Sequence, residues 1–416
     1  MALLAGLALA QRQTETDAYV RYELLAPETA SFKIYYEITA TTSGARYFYN
    51  PIRAGSTASD EAVYDAMTGA PLHFETVTAA EARKDPLMPR ASDTMDYIKV
   101  TLARPVPDGG QGRIIIVKTY KDAKSYFRVD TPDRPGDEIV FNRPLGIQRN
   151  QVVLPAGYEL TGCNVPSQVL TKPDGRVAIS FMHAGAGAAP LILHARADAP
   201  LGAAARPAPL TDQRSWEAPP RRGPTERQRL SQRAHQDRDI VYFLQQPETH
   251  SFSLYHDYTE SRPGAHAYYN VVREGSTVSD PSAYILDTGE KLASRVMTGA
   301  ELAAAKINIG ESVSPTTQVV VIPFPAVEKG KSVRLRISET YTAAASYGLQ
   351  AGALVFDRSF GRPRNAVVLP AGWYATDSAV PATVRQLPDG RIRLDFWNDR
   401  TDNISVLVKA RRRAEK

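Results

Sequence analysis

The segment N-P-I-R-A-G-S-T-A-S-D, from Asn50 to Asp60, returns as N-V-V-R-E-G-S-T-V-S-D from Asn270 to Asp280, 220 residues further on (270 − 50 = 220). Around it the correspondence continues, with Pro27-Glu28-Thr29 against Pro247-Glu248-Thr249, Thr68-Gly69 against Thr288-Gly289, and Thr119-Tyr120 against Thr340-Tyr341. Further on, R-N-Q-V-V-L-P-A-G-Y from Arg149 answers R-N-A-V-V-L-P-A-G-W from Arg364, and Pro173-Asp174-Gly175-Arg176 answers Pro388-Asp389-Gly390-Arg391. One unit is written twice, so any fold given to the first half must also suit the second.

Short runs rich in Val, Ile, Tyr and Phe, separated by Gly, Pro and Asp clusters, predict strands at spacings of about 8 to 12 residues. Examples are S-F-K-I-Y-Y-E-I-T-A from Ser31, Arg113 to Tyr120 and Val177 to Met182. Only Ala79 to Lys84 and Gly299 to Lys306 have helical composition within the copies. The expected fold is all-β: two tandem homologous antiparallel β-sandwich or curved-sheet units joined by a Pro/Arg-rich linker. The expected boundaries are a leader at 1–17, copy one at 18–197, the linker at 198–238, copy two at 239–412 and a basic tail at 413–416. Ser31 to Ala40 and Arg46 to Asn50, either side of Thr42-Ser43-Gly44, read as a hairpin, and so do the matching strands of copy two. Copy one carries six extra residues around V-D-T-P-D-R-P-G-D-E, expected at a hairpin tip.

M-A-L-L-A-G-L-A-L-A at Met1 to Ala10, followed by Gln11, resembles a signal-peptide core with an A-x-A cleavage site. It implies a secreted or periplasmic protein; the basic n-region is missing, so either the true start lies upstream of Met1 or this is a ragged terminus with no targeting role, and disulfide-free export with abundant Ala, Arg, Pro and Gly is compatible with a bacterial source. No apolar run approaches the ~18 residues that a membrane helix needs, so no transmembrane segment is expected. Cys163 is the one cysteine in 416 residues, which excludes an intrachain disulfide. Its counterpart is Ser378, and a buried filler is expected there. The net charge of +5 comes largely from the linker, where eight arginines fall between Arg206 and Arg238, and from the C-terminus. Clustered charge of this kind reads as solvated linker and tail rather than as a nucleic-acid site.

The repeated R-x-G-S-T-x-S-D is the strongest polar signature. On a functional reading Asn50, Arg53, Ser56 and Asp60, with Asn270, Arg273, Ser276 and Asp280, bind a carboxylate or sugar, the arginine and aspartate acting as a recognition pair. On a structural reading the glycine takes a positive φ and the hydroxyls and aspartate bond the local backbone. Arg143, Arg149 and Asn150, with Arg358, Arg364 and Asn365, form a second repeated polar set, expected to stabilise the sandwich edge. His250 and His256 are six residues apart on one strand, about 20 Å, too far to share an ion. Neither these with His266 nor the acids Asp130, Asp133, Asp137 and Glu138 read as a metal site, and no cofactor is expected. Tyr47-Phe48-Tyr49, Tyr268-Tyr269, Tyr35-Tyr36 and Tyr255 offer stacking surface for sugars or apolar peptides, with at least half of them in the core. There is no H-E-x-x-H, G-x-S-x-G, P-loop or dinucleotide fingerprint.

I-P-F-P-A-V-E-K-G-K from Ile322, followed by V-R-L-R-I-S-E-T-Y, resembles the N-terminal β-domain of gluzincin aminopeptidases. L-P-A-G-Y, L-P-A-G-W and the later D-G-R segments are similar to its closing strands. The resemblance covers about half of each copy and implies a saddle-like scaffold domain. The zinc and exopeptidase motifs of those enzymes are absent, so it implies no activity for any residue here. The reading that follows is a non-catalytic binding or structural module of the envelope with a protein or polysaccharide partner. Two alternatives stay open: a hydrolase acting on peptide or glycan through Asp60, Asp280 or other carboxylates in an inter-domain cleft, and a subunit of a larger envelope assembly.

Overall fold

The computed structural model describes residues 12–52, 55, 57–131, 134–183, 187–197, 238–398 and 402–412, and divides between His235 and Gln236 into two compact units. The segment read as a signal peptide, the Pro/Arg-rich linker before Arg238 and the end of the basic tail lie outside the described residues.

Unit one is built of β1 (Glu15–Leu24), β2 (Ser31–Ala40), β3 (Tyr47–Ile52), β4 (Thr57–Asp65), β5 (Phe74–Val77), β6 (Asp96–Thr101) and β7 (Gly112–Lys121), followed by β8 (Tyr126–Thr131), β9 (Arg134–Leu145), β10 (Arg149–Val153), β11 (Tyr158–Cys163), β12 (Gln168–Thr171), β13 (Val177–Met182) and β14 (Ala189–Ala197). They form a seven-stranded sheet in the order β12-β13-β10-β1-β2-β7-β4, a four-stranded sheet β11-β14-β9-β8 and a three-stranded sheet β3-β6-β5.

Unit two repeats the plan with β15 (Arg238–Leu244), β16 (Ser251–Glu260), β17 (Ala267–Val271), β18 (Thr277–Ile285), β19 (Lys291–Leu292), β20 (Arg295–Thr298), β21 (Gln318–Pro323) and β22 (Val333–Thr342), then β23 (Tyr347–Gln350), β24 (Ala353–Phe360), β25 (Arg364–Val368), β26 (Trp373–Ser378), β27 (Ala382–Gln386), β28 (Ile392–Trp397) and β29 (Ile404–Arg412). Its large sheet runs β19-β18-β22-β16-β15-β25-β28-β27, beside β23-β24-β29-β26 and β17-β21-β20. Register repeats as well as order: Phe32 lies opposite Tyr120 and Ile34 opposite Lys118, as Phe252 lies opposite Tyr341 and Leu254 opposite Glu339.

The all-β expectation holds, and the pairing is antiparallel except once in each unit, where β1 runs parallel to β10 and β15 to β25. The hairpin expected from β2 to β3 does not form. Both edges of β2 are taken by β1 and β7, so β3 turns away and pairs with β6; β16 and β17 behave likewise. The burial of β2 alternates along Phe32, Ile34, Tyr36 and Ile38, which places its apolar face against the four-stranded sheet. Tyr22 and Phe32 meet Phe141 of that sheet at 5.6 and 5.4 Å, and Phe252 meets Phe356 at 5.7 Å in unit two. Each of these phenylalanines is fully buried, and its truncation to alanine costs about 3–5 kcal/mol.

Candidate functional site

Most of the repeated polar residues serve the backbone. Pro27–Thr29 and Pro247–Thr249 are short 3-10 turns in which the threonine hydroxyl donates to the carbonyl of Ala26 or Gln246 at 2.7 and 2.8 Å. Asn150 donates to the carbonyl of Ile147 at 2.7 Å and Asn365 to that of Arg362 at 2.8 Å, each tying down the turn before its strand. The Asp174 and Asp389 carboxylates accept from the backbone of Arg176 and Arg391, both at 3.1 Å, inside the expected hairpin turns.

In the R-x-G-S-T-x-S-D segments, Gly55 and Gly275 take φ of 81° and 74°, a region that favours glycine. Asp60 and Asp280 are left-handed too, at 52° and 51°, which aspartate tolerates better than most residues. Each sits in a β-bulge: between the pairs Ser59–Thr119 and Ala62–Val117 two residues oppose one, and the same occurs between Ser279 and Ser282. The residue opposite the bulge is Lys118 in unit one and Glu339 in unit two. The repeated aspartate therefore marks a kink that faces a buried ionisable group, each of the two being 3% exposed.

The eight candidate residues do not gather into one site. Arg53 and Ser56 lie outside the described residues. Asp60 and Asp280 are exposed and accept from the neighbouring Ser59 and Ser279 hydroxyls at 3.3 and 2.9 Å. Ser276 closes a turn by donating its backbone N–H to Arg273 at 3.0 Å. Arg273 does not pair with Asp280; its Nη2 reaches across to the carbonyl and hydroxyl of Ser359, both at 3.3 Å.

Asn50 and Asn270 turn inward and reveal the central difference between the units. Asn50 accepts through Oδ1 from Lys118 Nζ at 2.5 Å, whereas Asn270 donates through Nδ2 to the Glu339 carboxylate at 3.0 and 2.8 Å. An amide can serve either charge by turning over, so one asparagine position accommodates opposite ions. Burial pushes Lys118 down to about 8, opposed by Glu61 and reinforced by Arg143. Burial pushes Glu339 up, opposed by its bonds from Asn270 and Tyr341.

Arg143 and Arg358, expected at a sandwich edge, are instead buried within the sandwich, at 6% and 8% exposure. Arg143 lies 5.9, 5.3 and 5.8 Å from the ring centres of Tyr22, Phe32 and Tyr120, and Arg358 5.7, 5.2 and 5.7 Å from those of Tyr242, Phe252 and Tyr341. Sequence reading missed Lys118 and Glu339, which stand in alternating strands like ordinary outward-facing residues. The exchange of Lys118 for Glu339 beside the matched T-Y pairs was the available signal.

Unit one also has an open cleft of about 590 Å³ along β3, lined among others by Arg46, Tyr47, Tyr49, Lys84, Asp85 and Lys99. Tyr49 donates to Asp85 at 2.9 Å, and Lys99 stands 4.7 Å over the Tyr47 ring while bonded to Glu75 at 2.8 Å. Of the aromatic residues proposed for stacking, Phe48 and Tyr49 are buried and half-buried Tyr47 lines the cleft. At the matching positions unit two has His266, Ala267, Ala304 and Val321.

The remaining candidates disperse. His256 is buried, His250 bonds the Tyr347 carbonyl at 2.9 Å and His266 is exposed. Glu138 bonds His194 at 2.7 Å, while the side chains of Asp130, Asp133 and Asp137 lie outside the described residues. Cys163 is half-buried rather than buried, since its strand β11 lies at a sheet edge, and its thiol donates to the Val165 carbonyl at 3.3 Å. No helix among the described residues is long and apolar enough to cross a membrane.

No family pattern matches the chain, and no curated protein matches its sequence. Among solved structures it is similar to an M1 zinc metallopeptidase from Deinococcus radiodurans, with 13% identity and a TM-score of 0.29, over 45% of this chain and 42% of that one. It is also similar to a protein from Legionella pneumophila described as nutrient binding, with 10% identity and a TM-score of 0.26, over 45% of this chain and 68% of that one. The chain thus spans about two fifths of the length of the metallopeptidase.

Proposed function

We propose that the chain is a binding module, exported to the bacterial envelope, whose unit one presents the cleft beside β3 to a protein or polysaccharide. The observation that carries this reading is the cleft itself, a concavity of about 590 Å³ in which the Tyr47 ring and the cations Arg46, Lys84 and Lys99 line one opening. Its acids are engaged in holding the walls: Asp85 accepts from Tyr49, and Glu81 is bonded to Lys84 at 2.5 Å. That arrangement suits recognition better than proton transfer to a substrate.

The test is calorimetric titration of the full chain with short peptides and cell-wall oligosaccharides, alongside Tyr47→Ala and Lys99→Ala. Saturable binding weakened about tenfold or more by either substitution supports the reading. Binding that neither substitution alters removes the cleft from it, and the absence of saturable binding to any probe contradicts it. Export is tested separately by fractionating cells that carry the tagged chain.

A further inference from the structure

Unit one supplies the template for a site in unit two. There Arg143 Nη1 donates to the Asp122 carboxylate at 2.9 Å, an ion pair with both side chains about nine-tenths buried, and Ser125 lies 3.4 Å from the same nitrogen. The equivalent of D-A-K-S-Y at Asp122 is A-A-A-S-Y at Ala343. The aromatic surround of Arg358 is retained, the carboxylate is gone, and Ser346 has turned to the carbonyl of Ala343 at 3.4 Å. Arg358 Nη1 is buried with no hydrogen-bond partner. A guanidinium nitrogen left this way is costly, and a bonded anion relieves the cost.

Unit two carries further positive charge. Arg273 leans over the same strand to Ser359, next to Arg358 in sequence. Arg238 stacks 4.3 Å over the Tyr258 ring, and Arg362 bonds Tyr268, whose hydroxyl lies 3.1 Å from His256 Nδ1. Among the described residues none of these four guanidinium groups is paired with a carboxylate. Burial, and then Arg358, hold Arg273 below its ordinary value; burial, and then Arg362, do the same to Arg238. Unit one has Ala18 and Ile147 where unit two has Arg238 and Arg362, so this charge belongs to the second copy.

We propose that Arg273 and Arg358 of unit two bind a small carboxylate anion, whose carboxylate takes the place filled in unit one by the Asp122 side chain. This site is separate from the cleft of unit one and does not depend on it.

The probe is citrate, compared with sulfate and with sodium chloride at equal ionic strength, on the full chain. Melting is followed by tryptophan fluorescence in a Trp216→Phe background, since the two remaining tryptophans, Trp373 and Trp397, are both in unit two. Citrate at about one hundred times its dissociation constant is expected to raise that melting temperature by about 5 °C or more. Ala343→Asp, which installs the internal carboxylate, is expected to raise the melting temperature without citrate and to abolish the citrate increment. An increment unchanged in Ala343→Asp, or absent with citrate, overturns the proposal, and sulfate matching citrate overturns the carboxylate assignment. Should Ala343→Asp fail to fold, Arg273→Gln at its exposed position decides: citrate affinity about tenfold lower supports the site, and unchanged affinity refutes it.

Discussion

Replacing Lys118 by methionine removes a buried ammonium while keeping most of its volume. Burial lowers the folded value from 10.5 to about 8, which corresponds to about 3 kcal/mol against the protonated form. Between those values the unfolded chain holds the proton and the folded chain has released it. Stability therefore rises with pH through that window, is complete above 10.5 and is lost as the pH falls to 8. Lys118→Met lacks this rise. It also leaves Asn50 Oδ1 without its donor, a loss of about 1–3 kcal/mol at any pH. At pH 7 the variant is therefore as stable as the parent or more stable by up to about 2 kcal/mol, and at pH 10 it loses about 2 kcal/mol relative to that position. The assay is urea unfolding at both pH values, with tryptophan fluorescence in a Trp216→Phe background isolating unit two and circular dichroism giving the remainder. An equal change between pH 7 and pH 10 in variant and parent would show that Lys118 is not a buried, destabilising charge.

Three further outcomes follow from the polar interior. Asp280→Val forces a β-branched residue into the left-handed bulge and lowers unit-two stability by about 1–2 kcal/mol, whereas Asp280→Gly is tolerated, as urea unfolding followed by tryptophan fluorescence will show. Asp122→Ala strands the buried Arg143 charge and costs about 3 kcal/mol or more, and adding Arg143→Met recovers much of it, a double-mutant comparison by circular dichroism. Burial, then Arg362 and Arg238, hold His256 well below 6.5, so its contribution is present above pH 6.5 and lost as the pH falls below it; His256→Phe flattens the acid limb of unit-two melting.

Much of the architecture was legible because it is local. The alternation in S-F-K-I-Y-Y-E-I-T-A gave β2 its limits, and the D-G steps gave the turns. The β2–β3 hairpin failed because adjacency in sequence competes with β1 and β7 for the same edges, and only β2's non-local pairing decides that competition. β11 and β26, at Tyr158–Cys163 and Trp373–Ser378, went unseen because polar residues fill edge strands that face water on one side. Of the candidate site, Asn50 and Asn270 stood out in the repeat, yet their partners stand 68 and 69 residues away and carry opposite charges. Most invariant polar letters of the repeat hold the backbone, and the letters that changed, Asp122 to Ala343 and Lys118 to Glu339, set the two interiors apart.

If one backbone underlies both units, their interior side chains are exchangeable, and Lys118→Glu tests this most directly. In unit two the buried glutamate is pushed up from 4.5, so its contribution is present below 4.5 and lost as the pH rises through the folded value. In unit one the new carboxylate meets Asn50 with its amide reversed, and urea unfolding is expected to show a folded unit that has lost the alkaline rise of the parent and weakens from mildly acidic pH upward. A unit one that no longer folds at acidic pH, or that still gains stability between pH 8 and 10.5, would contradict the equivalence of the two interiors.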